Sequence, residues 1–522
     1  MPGNAPGTSA VPEFGPAVPR WHALPRASAD AGWAPGTLGT LVLAVVLTGA
    51  PVIVHLAGQP FGIAVCVLLA LLVATFAAPA LPIVLLFSCL FQNLFVALVS
   101  PAIATMEEFN AMRGYNFVLT AAAWIVIVAP YWTARASFSR DFRSIIDVTT
   151  AALVLIGVYF VIGLRVNPTG AIVYLRNIVM PILMFQIFAL VAHRQRLSIT
   201  TALVVIAIVA VAYGYAEFLA HDKLFPLTNG DSYLEWRTKQ DHDSGMWVRE
   251  MRETGRVIRS YVDTMEVDFL NTSFLAGLKL RVYRVVGPNF HSISFAYALA
   301  FFSLVLFAIG RWWYALIALP LLLIVGSKGA LIMLAFTILC TVLLLYVRDS
   351  IVMSAFCAAM LLYVAVAIMT GIQEQDYHVL GFIGSVRGFL ADPIGHGIGA
   401  GGNLALDMTA IDWSKSQNLG HTDVAVESAI GVLLYQMGVL ALMVVAVLVW
   451  IAARLWKWYG RTGSRLYAVT CFALLTTVTN GIFQEEALFA PLALATVLAF
   501  AGLLLGRAHR TTAQDSDLRQ VR

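Results

Sequence analysis

Charge is what this sequence has least of. Asp, Glu, Lys and Arg together make up 12% of the 522 residues, where a soluble domain carries about 25%. That scarcity excludes disorder, and it excludes a soluble fold because 60% of the residues are hydrophobic and no core of this size could hide them. Cysteine is scarce as well. Cys66, Cys89, Cys340, Cys357 and Cys471 all fall inside apolar runs, which argues for free thiols and against a disulfide framework or a zinc site. No solenoid repeat is visible. No short alternating segments of the barrel type appear either. No cleavable signal peptide is expected: residues 1–33 are rich in Pro and Gly without an apolar core segment, and 1–36 is expected to be a disordered cytoplasmic tail.

What is present is a series of apolar runs about 20 residues long, the length that crosses a hydrocarbon core of about 30 Å as helix. The mean hydropathy is +0.82. The expected fold class is all-α, a polytopic membrane protein of 12–14 transmembrane helices with two large periplasmic loops. Fourteen candidate spans are read at 37–57, 61–79, 81–100, 115–134, 145–164, 172–192, 198–220, 288–309, 312–326, 329–347, 351–371, 425–453, 464–484 and 486–506. The run at 312–326 is short enough to be re-entrant. Grouped, these give helices 1–7 over 37–220, helices 8–11 over 288–371, C-terminal helices over 425–506 and a cytoplasmic tail at 507–522. Alternating from a cytoplasmic N-terminus puts Arg135, Arg140, Arg143, Arg194, Arg196, Arg311, Arg348 and the Arg454–Arg465 group inside, as the positive-inside rule requires.

The long outer segments are then 221–287 and 372–424. The first holds ten Lys/Arg and ten Asp/Glu. Within it Trp247, Met251, Ile258, Val262 and Met265 recur at helical spacing opposite Arg252, Arg256 and Arg259, the pattern of an amphipathic interfacial helix. The second is Gly-rich.

The exceptions to the inside bias point to chemistry. Arg113, Arg165, Arg176, Lys328, Arg387 and Lys415 lie in short outer segments, and Lys279, Arg281 and Arg284 end the first long loop. Cations there oppose the orientation bias and cost desolvation. Any one of them reads equally as a residue snorkelling to headgroups. As a set they suit an anionic ligand, since the guanidinium fork matches phosphate oxygens. A Gly-rich run, Pro393-Ile-Gly-His-Gly-Ile-Gly-Ala-Gly-Gly402, cannot be regular helix; the Gly395 and Gly397 amides could turn toward an oxyanion, or the run could be a plain loop. It has neither the strand nor the lysine of a nucleotide loop. His421 and Asp423 stand at the mouth of the span that begins at 425, with Glu427 about one turn in. The histidine suits a base; Thr422 and Asp423 equally suit a helix cap. Glu217, Glu485, Glu486 and His291 are further ionisable candidates at span ends. No cofactor, metal or nucleic-acid partner is expected.

Four pieces resemble the bacterial O-antigen ligase and O-antigen/exopolysaccharide polymerase superfamily of membrane glycosyltransferases. They are Tyr174-Leu-Arg-Asn-Ile-Val-Met-Pro181, Arg284-Val-Val-Gly-Pro-Asn-Phe-His291, Gly326-Ser-Lys-Gly-Ala-Leu331, and Arg387 through Gly399 followed by Gly420-His-Thr-Asp423. The resemblance spans roughly 170–450. It implies metal-independent transfer of a glycan from undecaprenyl pyrophosphate at the periplasmic face of the bacterial inner membrane, to a sugar hydroxyl on another repeat unit or on lipid A-core. It implies Arg284 and Arg387 on the pyrophosphate and His421 at the acceptor hydroxyl. Arg176 and Lys328 would be supporting cations, and Arg281, His291, Gly395, Gly397 and Glu427 would complete the substrate site. Trp236, Trp247 and Tyr261 would offer stacking faces to sugars, or anchor the interface. A flippase and a chain-length regulator would be partners.

Three functions remain in play. A polymerase is favoured over a ligase by the extra spans and by Thr422, which follows His421 where the family often carries Asn. A transporter of lipid-linked oligosaccharide would instead place ionisable residues at mid-membrane and on both faces.

Overall fold

Helices form wherever the apolar runs stand, and small polar residues set their starts. Thr105, Ser139, Asn167 and Ser428 each accept a backbone N–H from the first turn of the helix they precede, satisfying donors that have no partner inside the helix. The computed structural model describes residues 35–243, 260–271, 280–404 and 411–520. The first seven crossings are α1 (Pro35–His55), α2 (Gln59–Phe76), α3 (Leu81–Val99), α5 (Tyr115–Thr133), α6 (Arg140–Gly163), α7 (Pro168–Arg194) and α8 (Thr200–Thr228), with the short α4 (Met106–Met112) between α3 and α5. Then come α9 (Gly230–Asp243), α10 (Tyr261–Met265) and the ribbon β1 (Glu266–Asp268) and β2 (Arg281–Tyr283). The ribbon is antiparallel, with Val267 opposite Val282. The second half holds α11 (Ser292–Ala308), α12 (Trp313–Val325), α13 (Lys328–Leu343), α14 (Asp349–Glu374), α15 (Tyr377–Ala391), α16 (Trp413–Leu419), α17 (Ala429–Met437), α18 (Ala441–Thr462), α19 (Arg465–Asn480), α20 (Glu485–Phe489) and α21 (Thr496–Gln520).

Ten helical stretches among the described residues are long and apolar enough to cross a membrane. Three shorter apolar helices, α11 to α13, sit among them. The chain is therefore an all-α, multi-pass membrane protein. α12, at 13 residues, is about 20 Å long and falls short of a hydrocarbon core of about 30 Å. α7 and α11 are buried nearly throughout. α14 instead turns Leu361, Leu362, Val366 and Met369 outward, the face a lipid-contacting helix presents.

The crossings alternate, so their connections collect at two ends. At one end Asn229 donates to the Leu98 carbonyl (2.8 Å), Arg284 to Val325 O (3.1 Å) and the Ile398 amide to Tyr159 O (3.0 Å). At the other, Tyr459 donates to Asp349 (3.4 Å) and Arg510 to Ala192 O (3.1 Å). The second end carries the basic connections counted above; the first carries the exceptions.

Several expectations shift. The span expected at 198–220 runs on to Thr228 through a non-helical Ala220. The one expected at 425–453 breaks at Gly438 and resumes as α18. The last is preceded by α20 and a π turn at Pro491–Ala495. Segment 372–424 contains two helices, α15 and α16. Of the expected amphipathic helix, Val262 and Met265 lie in α10; Trp247, Met251, Arg252, Arg256 and Ile258 fall outside the described residues, as do Lys279 and the tail at 1–34.

Candidate functional site

The end of the bundle with the exceptional cations holds a cavity of about 180 Å³. Its wall comes from segments far apart in sequence: Asn93 of α3, Arg113 after α4, Asn116 of α5, Arg176 and Asn177 of α7, Asn289 and His291 before α11, Asn403, and Glu485 and Glu486 of α20. Arg113 lies over the Phe109 ring at 5.2 Å. Arg176 donates through Nε to Asn177 Oδ1 at 3.3 Å. It shares the cavity wall with Arg113. The two guanidinium charges act on each other inside the fold, which is unfavourable without an anion between or beside them.

His291 is the N-cap of α11. Its Nδ1 accepts from the Ser294 amide (3.2 Å) and faces Ser294 Oγ (3.0 Å). An Nδ1 that accepts is unprotonated, so Nε2 carries the hydrogen and His291 is a donor toward the cavity. Burial holds its pKa well below the ordinary value, and the charges of Arg237, Arg284 and Arg113 push the same way. Arg113 and Arg176 thus line one cavity with His291, and the charges of Arg237 and Arg284 also reach that imidazole. Arg237 donates to Phe290 O at 2.5 Å. Burial lowers the Arg284 pKa, and Glu486 opposes that shift.

The turn from Arg284 to His291 is clamped from below. Glu217 accepts from the Val286 and Gly287 amides, at 2.8 Å each, through its two oxygens. Gly287 has φ +70° and Phe290 φ +52°, a path that needs such a tie. Glu217→Ala leaves two buried N–H groups without partners, at about 1–3 kcal/mol each. It should destabilise the protein by about 3 kcal/mol in thermal or chemical unfolding, and Glu217→Gln, which keeps one acceptor, by about half.

The acidic wall is built differently. Glu485 is buried and fully engaged: it accepts from Tyr174 Oη and, at 3.0 Å, from the Asn403 amide. Asn403 Oδ1 accepts the Glu427 amide at 3.0 Å. Glu427 has φ +62°, rare for a residue with a side chain, and its carboxylate lies 3.1 Å from His378 Nδ1. Burial alone would lower the His378 pKa, but Glu427 outweighs it and raises it to about 9. Glu486 stands where the two walls meet, within reach of the charges of Glu427, His378 and Arg284.

The expected site residues therefore divide. Arg176 and His291 line the cavity, Arg284 flanks it and Glu427 lies one residue behind Asn403. Arg387 is exposed on α15 and Lys328 is exposed at the start of α13; neither lines the cavity. Arg281 is exposed in β2, opposite Asp268. His421 turns Nδ1 to the Thr422 carbonyl (3.0 Å), beside the Lys415–Asp423 pair (2.7 Å) and away from the cavity. Gly395 and Gly397 are not an anion cradle. The Gly395 amide donates to Asp392 O (3.2 Å) and the Gly397 amide to Gln436 O (2.9 Å). The physical reason is packing: the run is wedged between α6, α7 and the break at Gly438, so protein carbonyls take its N–H groups. Trp236 packs by Phe109, and Tyr261 bonds Asp231.

Sequence reasoning missed Arg237 and the asparagines at 93, 116, 177, 289 and 403, and it left Arg113 outside the site. Amides beside apolar runs at one end of the bundle were the available signal. No family model matches the chain, and no curated protein matches it.

Proposed function

We propose that this protein transfers a glycan from an undecaprenyl-pyrophosphate carrier to a sugar hydroxyl at the outer face of a bacterial inner membrane, polymerising O-antigen or exopolysaccharide repeat units. The observation that carries the reading is the meeting of Arg113, Arg176 and His291 in one cavity, within reach of the charges of Arg237 and Arg284. It lies at the end opposite the basic connections, which the positive-inside rule assigns to the periplasm.

The chemistry follows from charge. A glycosyl pyrophosphate reacts when charge developing on its leaving oxygen is stabilised. Fixed guanidiniums and the His291 Nε2–H supply donors that need not reorganise as the bond breaks. The asparagines offer neutral donors and acceptors to sugar hydroxyls. Outward apolar faces such as that of α14 suit contact with the polyprenyl chain. Arg387 and His421, which the resemblance placed on the pyrophosphate and the acceptor, lie outside this cavity.

The test is a reconstituted reaction with labelled lipid-linked repeat units. Polymerisation yields a ladder of products. A single addition to core oligosaccharide makes the protein a ligase acting through the same site. Label that crosses the vesicle membrane without forming product overturns transfer in favour of a flippase.

A further inference from the structure

Glu485 and Glu486 are adjacent in sequence and differ in what they do. Both oxygens of Glu485 are committed to Tyr174 and Asn403. Among the described residues, the Glu486 carboxylate receives only its own backbone N–H. It lines the cavity that holds Arg113, Arg176 and His291. A carboxylate in such a place, without a structural partner, is placed to meet a ligand. His291 does not compete for the role of base, because its Nδ1 is already taken by Ser294.

We propose that Glu486 is the general base that takes the proton of the acceptor hydroxyl, with Glu427 and His378 forming the path by which that proton leaves. The inference rests on the reading under Proposed function. In the step, the acceptor oxygen forms a bond to the anomeric carbon. The bond from that carbon to the pyrophosphate oxygen breaks, and the electron pair leaves with the lipid pyrophosphate beside the guanidiniums. The hydroxyl proton passes to Glu486. Behind Glu486 stands Glu427, with a side chain 19% exposed, and beyond it His378 at 44%. Exposure rises from Glu427 to His378 along that line.

The groups facing Glu486 set its acidity. Burial raises its pKa most and Glu427 raises it further; His378 and Arg284 lower it, and Glu485 adds a like charge nearby. A base must be ionised to act, so activity falls as the pH drops through a pKa above the usual carboxylate range. Removing the His378 charge raises that pKa and moves the acidic limb of the rate profile to higher pH.

The experiment measures turnover of labelled lipid-linked repeat units against pH, with binding of undecaprenyl pyrophosphate in parallel. Glu486→Gln should bind the carrier as the wild type does, lose at least about 100-fold in kcat, and lose the acidic limb. His378→Gln should keep the limb but shift it to higher pH. Glu486→Gln with near-normal kcat, or with a change in donor KM alone, overturns the proposal and makes Glu486 a counter-ion of the arginines. An unmoved limb in His378→Gln overturns the exit path. If the wild type binds no undecaprenyl pyrophosphate and forms no product, the underlying reading falls and this proposal with it.

Discussion

Arg176→Ala should weaken binding of undecaprenyl pyrophosphate by about 10- to 100-fold, the value of one to two charge-assisted hydrogen bonds to phosphate. Arg176→Lys should recover little, since an ammonium has neither the reach nor the paired donors of the fork. The side chain stands in the cavity wall beside Arg113, and the two charges act on each other. Removing one charge relieves that repulsion. Thermal unfolding should therefore show the Ala variant at least as stable as the wild type, while its affinity collapses. That opposition distinguishes a binding arginine from a structural one, whose loss would lower both. Arg113→Ala should behave alike. Arg387→Ala, on the exposed face of α15, should stay within about threefold of wild-type affinity, a change below 1 kcal/mol. Titration of the purified variants with fluorescent undecaprenyl pyrophosphate reads all four.

Gly399→Ala should have the largest effect on stability. Gly399 has φ +84°, and a Cβ there would stand 2.2 Å from the Ala171 amide nitrogen. The neighbour is backbone of a buried helix and cannot yield. Overpacking and the backbone penalty together should cost about 3–5 kcal/mol, read as a large drop in Tm or in folded yield. Gly420→Ala is the control. Gly420 has a similar φ of +71° with nothing within 4 Å, so only the conformational penalty of about 1–2 kcal/mol applies. The consequence of the first change reaches the site. The wedged run leads directly to Asn403, which holds Glu485 through its amide and Glu427 through its side chain. A loop that no longer seats would release the Glu485 carboxylate and the Glu427 backbone.

The membrane fold was legible because its signal is one-dimensional. An apolar run of about 20 residues can be satisfied in lipid only as helix, and ten stretches among the described residues are helices long and apolar enough to cross. The end of the bundle that holds the cavity is also the one marked in the sequence by violations of the charge bias. The choice among the cations was not legible. Arg176 and Arg387 look alike in sequence, each at an outer helix, but one turns into the bundle and the other out of it. That difference depends on how α7 and α15 rotate against their neighbours, which no local pattern records. The glycines misled for a related reason: a left-handed backbone can offer its amides to a ligand or to a neighbouring carbonyl, and only the tertiary contact decides. The asparagines went unnoticed because they carry no charge. Glu486 could not be told from Glu485 until the bonds of Glu485 were known.

The central claim is that Arg113 and Arg176, from separate segments, form one diphosphate site with His291. The measurement that meets it most directly is a cryo-EM map of the protein in nanodiscs with undecaprenyl pyrophosphate bound. The account predicts density for the two phosphates between Arg113, Arg176 and His291, with the chain of the lipid leaving sideways between helices. Phosphate density beside Arg387 and His421, or at the basic opposite end of the bundle, would contradict it.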